Sequence, residues 1–313
     1  MLKSHVLNVG KGSCIIIEFP SPSNRLGMID IDDSRTFSDE ELESIAELTR
    51  TKEQYLDLVQ RGYKALARQL VEKAYTIHLT DPIDYFTSSF PSKSLFRFIL
   101  THPDMDHMSG LNRLAQKIGF MNFWDTDNDK SISPDSWESS PYRKKDWEAY
   151  QALRESTESP KCIRPVRGSW ESYWDEDQVH ILSPGPDMVD LANSTGEYNH
   201  ISYVLRISYA GRSVLCAGDA SVKAQEDILE NFSAADLKAD VLLAPHHGSK
   251  THFCEDFVEA ISPDLIVVSV AVGTDYAYKQ YAQFGQVLST KWQGNIVVTI
   301  DGSGVRYSLQ FDR

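Results

Sequence analysis

Cysteine is scarce in this sequence, and so are long apolar runs and basic charge. The four cysteines in 313 residues, Cys14, Cys162, Cys216 and Cys254, are scattered with no C-x-x-C spacing. Cys14 and Cys216 lie in apolar, strand-like runs, where a thiol acts as a small hydrophobe. Structural rather than catalytic cysteines are expected, in a reducing cytoplasm. No stretch approaches the roughly 18–20 apolar residues of a membrane span, and no membrane partner is expected. The beginning, "MLKSHVLNVGKGSCIIIEF", has no charged segment followed by an apolar core and a small-residue cleavage site. Lys and Arg number 31 against 45 Asp and Glu, a formal charge of −14. No basic run exceeds Arg143–Lys145. That balance disfavours a broad basic face gripping long nucleic acid. It does not exclude chemistry on phosphodiesters, because bound divalent cations neutralise acids locally.

What is present alternates between strand and helix signals. "HVLNVG" (5–10), "CIIIEF" (14–19) and "LGMIDI" (26–31) are short apolar runs punctuated by Gly-Lys-Gly and Pro-Ser-Pro-Ser-Asn. Helical spacing then takes over across 38–80. Ser38 with Glu41 reads as a capping box, followed by Leu42, Ile45 and Leu48, and then by Leu58, Val59, Leu66, Leu70 and Val71. Residues 124–178 are the least regular, with Trp124, Trp137, Trp147, Trp170 and Trp174 among many charges. Such aromatics either stack bases or pin a polar segment to the body. The second reading is favoured, and only Lys144, Trp147 and Tyr150 on a helix argue for the first. The last third alternates short strands with helices near 221–232, 253–261 and 280–289. This pattern suits two face-to-face sheets with helices outside, in one domain of residues 1–313.

The chemistry-bearing stretch is "LTHPDMDHMSG" (100–110). It places His102, Asp104, Asp106 and His107 within six residues, directly after the apolar "FRFIL". One His-Asp pair there would be a cap or a turn. Four such side chains crowd carboxylates whose repulsion needs a cation or protons to offset it. Further candidates sit where strands stop: Asp219 ends "SVLCAGD", His246 and His247 end "DVLLAPHHGS", and Asn199 and His200 precede the strand 202–208. Taken singly, Asp219 reads as a helix cap and the two histidines as a surface turn. Taken together, polar groups at strand ends converge on one rim.

These motifs, in this order after "LNVGKGSCIIIEF" and "MIDIDDS", resemble the metallo-β-lactamase superfamily, and within it the hydrolase domain of ComEC-type competence proteins. The resemblance runs from Val6 to about Phe311. It implies an α/β fold, an αββα sandwich of two mixed sheets with outer helices. It also implies a dinuclear metal centre at one edge and hydrolysis by a metal-bound hydroxide. The membrane channel of the competence proteins has no counterpart, so DNA uptake is not carried over. Three departures stand out. Asp104 replaces a usual histidine, a change the competence branch shares. Asn199 stands where another histidine is usual, with His200 as a stand-in. "TDYAYKQ" (274–280) replaces that branch's Asn-x-Tyr-Gly-His-Pro. The segments 38–80 and 124–178 look like enlarged insertions, able to shape a substrate entrance or meet a protein partner.

Residue by residue, His102 and Asp104 are assigned to one cation, with Asn199 at best an amide ligand to it. Asp106, His107 and His246 are assigned to the other, with Asp219 bridging. His246 is preferred to His247 because it comes first after the strand. Two divalent ions, zinc or manganese, are expected, with the oxygen-rich first site favouring manganese. Asp106 is placed to accept a proton; Asp30 either holds a histidine tautomer or is a turn aspartate, and Lys279 or Tyr278 either contacts a phosphate or donates to the leaving group, with a solvated lysine the favoured reading. A phosphodiester is the expected substrate, in a short nucleic acid or nucleotide. The alternatives are a carboxylic ester, lactone or thioester, or a degenerate metal-binding interaction module.

Overall fold

Short apolar runs stopped by Gly, Pro and Asn fold here into strands that are buried on both faces, which is why they lack simple in/out alternation. The computed structural model describes residues 1–311 apart from Thr36, Ser38 and Ile77, so the expected capping box at Ser38 lies outside the described residues. In chain order the strands are β1 (Leu2–Val6), β2 (Ile15–Glu18), β3 (Leu26–Ile29), β4 (Leu95–Ile99), β5 (Phe120–Trp124), β6 (Lys161–Ile163) and β7 (Val179–Ser183). They continue with β8 (Val204–Tyr209), β9 (Arg212–Cys216), β10 (Val241–Leu243), β11 (Leu265–Val268), β12 (Gln286–Ser289), β13 (Ile296–Asp301) and β14 (Gly304–Leu309). One sheet has the order β14-β13-β1-β2-β3-β4-β5-β6 and the other β12-β11-β10-β9-β8-β7. Both are mixed: β3 to β6 run parallel beside antiparallel β1 to β3, and β9 to β12 run parallel beside antiparallel β7 to β9.

Alternate residues divide the core into layers. Ile17, Ile29 and Trp124 of the first sheet meet Leu205, Val214 and Leu243 of the second in the central layer. The intervening residues pack outward. Leu215, Leu242 and Ile266 meet Ile228, Phe257 and Ile261 of helices Val222–Asn231 and Glu255–Ile261. Ile16, Met28 and Phe98 meet Phe86, Leu114 and Trp147 of helices Pro82–Ser89, Leu111–Lys117 and Lys144–Arg154. The result is the expected αββα sandwich. At its edge Arg97 is fully buried, paired with the equally buried Asp177 carboxylate. Its guanidinium lies about 5–6 Å from the ring centres of Phe19, Phe96, Trp124 and Tyr173.

Some expected elements differ. The first apolar run reaches only to Val6; beyond it Asn8 turns its amide groups to His78 and Asn295. The helical pattern 58–71 is two helices, Lys52–Gln60 and Lys64–Thr76, separated at Gly62 with φ +83°. The helix expected over 280–289 is instead a short helix Tyr278–Tyr281 followed by β12, because pairing beside β11 claims Gln286–Ser289. Within 124–178, β6 extends the first sheet, and Trp124, Trp147, Tyr150 and Trp174 are buried, leaving Trp170 68% exposed. Burial of Trp147 and Tyr150 removes them as base-stacking surfaces.

Candidate metal centre

The centre is assembled at the strand ends of both sheets. Beyond β3, Asp30 adopts φ 56°, a left-handed conformation that costs a non-glycine residue energy and recurs at functional sites. Its carboxylate accepts from Thr101 N and Thr101 Oγ1, each at 2.8 Å, and from His107 Nδ1 at 2.7 Å. His102 Nδ1 lies 3.1 Å from Thr101 Oγ1. Across the seam, His247 donates Nδ1 to Ser269 O at 3.0 Å. All three imidazoles are thus held by Nδ1, and in each the Nε2 is buried without a hydrogen-bond partner. An unsatisfied buried nitrogen is costly. Three of them in one cluster with carboxylates is the arrangement of metal-ligating histidines whose other nitrogen is anchored.

Distances define the tightest part. His107 Nε2 is 3.2 Å from Asp219 Oδ2 and 3.9 Å from Asp106 Oδ2. His247 Nε2 is 3.5 Å from Asp219 Oδ2 and 3.8 Å from Asp106 Oδ2. Zinc ligands at about 2.0–2.2 Å in a tetrahedron stand roughly 3.4 Å apart, and Asp106, His107 and His247 form one group of donors close enough together to share a cation. His102 joins His107 and Asp219 in a second, overlapping group. A cavity of about 20 Å³ reaches Asp30, Asp219 and His247 from between the sheets. It has room for one ion or water. Burial alone would raise the Asp219 carboxyl, but the imidazoles of His107 and His247 outweigh it and hold it well below the usual carboxylate range. Burial lowers His107, yet Asp219, Asp30 and Asp106 together raise it well above its ordinary value. The two shifts are the mutual attraction of a carboxylate and an imidazole held close together.

Glycine makes the convergence possible. Gly218, with φ +48°, leaves space that a Cβ would fill at 2.4 Å from Ser202 Oγ, and that hydroxyl accepts from Asp219 N. A Cβ on Gly12 would lie 2.1 Å from Asp106 O and 2.4 Å from Asp32 Cβ, so the "GKGS" loop packs directly on the ligand loop. Burial pushes the Asp32 carboxyl there up to about 7, hydrogen bonds from Ser34 and Gly12 pull the other way, and Asp106 adds to the rise.

The remaining expected residues are placed unequally. His246 and His247 both adopt left-handed φ, 48° and 53°, which turns their rings apart. It is His247, not the preferred His246, that joins the close cluster. His246 stacks on His252 at 3.7 Å, with Nδ1 3.3 Å from Asn199 Nδ2 and 3.8 Å from Asp219 Oδ2. Burial pushes the His246 imidazole down to about 4. Asn199 keeps a buried, unpartnered Oδ1. His200 turns away to Ser221 Oγ at 2.7 Å, the hydroxyl that caps the following helix. Asp104 Oδ2 is 3.5 Å from His102 Nε2, and its Oδ1 accepts from Lys130 Nζ. Lys279 is exposed on its short helix, and among the described residues it makes no ion pair with the cluster. Three contributors escaped the sequence reading: Thr101, which ties Asp30 to His102, Ser269, which acts through its backbone carbonyl, and Lys130, which meets Asp104 only through the fold.

The metallo-β-lactamase superfamily profile matches residues 97–270, more than half of the chain. ComE operon protein 3 of Bacillus subtilis is 29% identical over 185 residues, 59% of this chain and 21% of that protein. Competence protein ComA of Neisseria gonorrhoeae is 28% identical over 119 residues, 38% of this chain and 16% of that protein. The chain therefore spans about a fifth of these relatives' length. Among solved structures, Igni18, a metallo hydrolase from Ignicoccus hospitalis, aligns with 96% of this chain and 100% of its own at a TM-score of 0.50 and 12% identity, a likeness of fold. With the profile spanning the ligand loop, Asp219 and both histidines of the "PHHG" turn, this chain belongs to the metallo-β-lactamase superfamily.

Proposed function

We propose that this chain is a metal-dependent phosphodiesterase acting on short nucleic acids or nucleotide-like diesters. One observation carries the reading: three histidines anchored through Nδ1 present bare, buried Nε2 atoms to Asp219 and Asp106. Asp106, His107, Asp219 and His247 would hold one divalent cation. His102 and Asp104, with Asp219 and the Asn199 amide, would hold the other; His246 stands at the rim of this second place. When bound, such ions neutralise the scissile group and lower the pKa of a water toward neutrality. The chain's own part is positional. Asp30, Thr101 and Ser269 fix the imidazoles, and Asp106, partly open to solvent, is placed to take a proton from the attacking water.

Support for a phosphodiester comes from the relatives, whose names tie them to competence, and in Haemophilus influenzae to recombination. The charge of −14 favours short or single-stranded substrates over long duplex. No described helix is long and apolar enough to cross a membrane, and all four cysteines are free. We place the enzyme in a reducing compartment such as the cytoplasm, as one domain. Metal analysis with parallel assays on bis(p-nitrophenyl) phosphate and a carboxylic ester tests the reading. Bound metal with diester turnover is expected. Turnover of the ester alone makes it an esterase, and turnover of neither, with or without bound metal, makes it an interaction module.

A further inference from the structure

Lys130 reaches the centre from a part of the sequence that supplies no ligand. Its ammonium hydrogen-bonds Asp104 Oδ1, while Oδ2 of the same carboxylate faces His102 Nε2 at 3.5 Å. The Nζ also lies 5.2 Å from the centre of the Tyr198 ring, next in sequence to Asn199. The segment carrying it is pinned from several sides. Lys130 N donates to Asn128 Oδ1 at 3.1 Å, and Asn128 Nδ2 donates to the buried Tyr150 OH at 2.9 Å. Asp129 N donates to Asn193 Oδ1 at 3.1 Å, and Tyr198 OH donates to Asp129 Oδ1 at 2.8 Å. Holding a lysine this way opposes its large rotamer entropy, which a purely decorative surface pair would not justify. The side chain is 21% exposed beside the cluster. An ammonium has three donors, and Asp104 engages one.

We infer that Lys130 is the residue that recognises the substrate's anionic phosphoryl oxygen, with Asp104 and the Tyr198 ring holding it at the edge of the metal pair. This rests on the phosphodiester reading above. Charge balance gives the reason. Two divalent cations, if bound, would offset the carboxylates of Asp30, Asp104, Asp106 and Asp219, and a diester would bring one further negative charge. Among the described residues, Lys130 is the one Lys or Arg paired with any of His102, Asp104, Asp106, His107, Asp219 or His247. Lys279, from the segment expected to handle the substrate, is exposed and apart. The ammonium is a point donor and suits a single phosphoryl oxygen rather than a planar bidentate group.

The test compares metal-loaded wild type with Lys130→Met and Lys130→Arg in three measurements: metal content, orthophosphate affinity by titration calorimetry, and KM and kcat on bis(p-nitrophenyl) phosphate. Lys130→Met is expected to keep its metal, to bind orthophosphate roughly tenfold more weakly, the worth of one charge-assisted hydrogen bond, and to show the loss in KM rather than kcat. Lys130→Arg is expected to recover most of both. Unchanged phosphate affinity and KM in Lys130→Met, with wild type active, overturn the inference and leave the phosphodiesterase reading standing. Loss of metal in Lys130→Met also overturns it, because Lys130 would then serve only to position Asp104. A wild type that holds metal but neither cleaves the diester nor binds orthophosphate overturns both.

Discussion

The Asp30 carboxylate and the His107 imidazole lie 2.7 Å apart with both side chains buried, and the same carboxylate also accepts from Thr101. This contact decides which nitrogen His107 turns to the centre. Replacing Asp30 with Asn or Ala should weaken metal binding by about 10- to 100-fold, the usual cost of losing such a support. Competition against a chromophoric chelator measures it. Wild-type affinity in Asp30→Ala would show that the ring is held by packing alone.

His247 and His246 should separate cleanly. His247→Ala and Asp219→Ala are each expected to remove at least one equivalent of metal, since both side chains belong to the closest groups of donors. His246→Ala, whose ring stacks on His252 instead, should retain more metal than His247→Ala. Lys279→Ala should match wild type. Metal counting on purified variants decides the order, and the reverse order for the two histidines would restore the expectation from the sequence.

Far from the centre, the buried pair of Arg97 and Asp177 makes a stability prediction. Asp177→Ala leaves a guanidinium buried among aromatic rings with its carboxylate gone, and leaves Arg25, which shares that carboxylate, as a like charge beside it. Breaking such a pair costs about 3–5 kcal/mol. The double variant Arg97→Met with Asp177→Ala should be more stable than Asp177→Ala alone. Denaturant midpoints for the three proteins provide the check.

Glu18 gives a pH dependence. A hydrogen bond with His5, and then Lys3, lower its carboxyl from 4.5 to about 2, against the opposing effect of burial. A carboxyl lowered on folding stabilises the protein above its unfolded pKa, and that contribution is lost as pH falls through the folded value. Wild type should therefore exceed Glu18→Gln by on the order of 1–2 kcal/mol near neutrality, after allowance for partial exposure. The gap should close between about 4.5 and about 2. Thermal melts across that range follow it; a gap that persists below pH 2 would assign the effect to shape rather than charge.

The sandwich and most of the side chains that cluster at its edge were legible because both depend on local signals. Apolar runs mark strands, and Asp219 and the histidine pair follow them directly. What was hidden depends on chain geometry or on long-range pairing. The choice between His246 and His247 turns on two consecutive left-handed residues, which no spacing rule anticipates. β12 is a weak strand by composition, and its pairing with β11 overrides the helical reading. Lys130 sits amid polar residues whose only distinguishing feature is a set of asparagine contacts to distant segments. The tryptophan-rich stretch was expected to be pinned to the body by its aromatics, and Trp147 and Trp174 are buried.

The donors come from two different sheets: His102, Asp106 and His107 follow β4 of one, while Asp219 and His247 follow β9 and β10 of the other. A bound cation is therefore a rivet through the two halves of the sandwich, and its affinity includes the free energy of keeping them together. Free metal at a thousand times its dissociation constant would add about 4 kcal/mol to the folded state. By the same coupling, a cavity opened between the sheets at Val214 would be felt first as leaking metal. Ample metal would conceal such a defect, and scarcity would expose it.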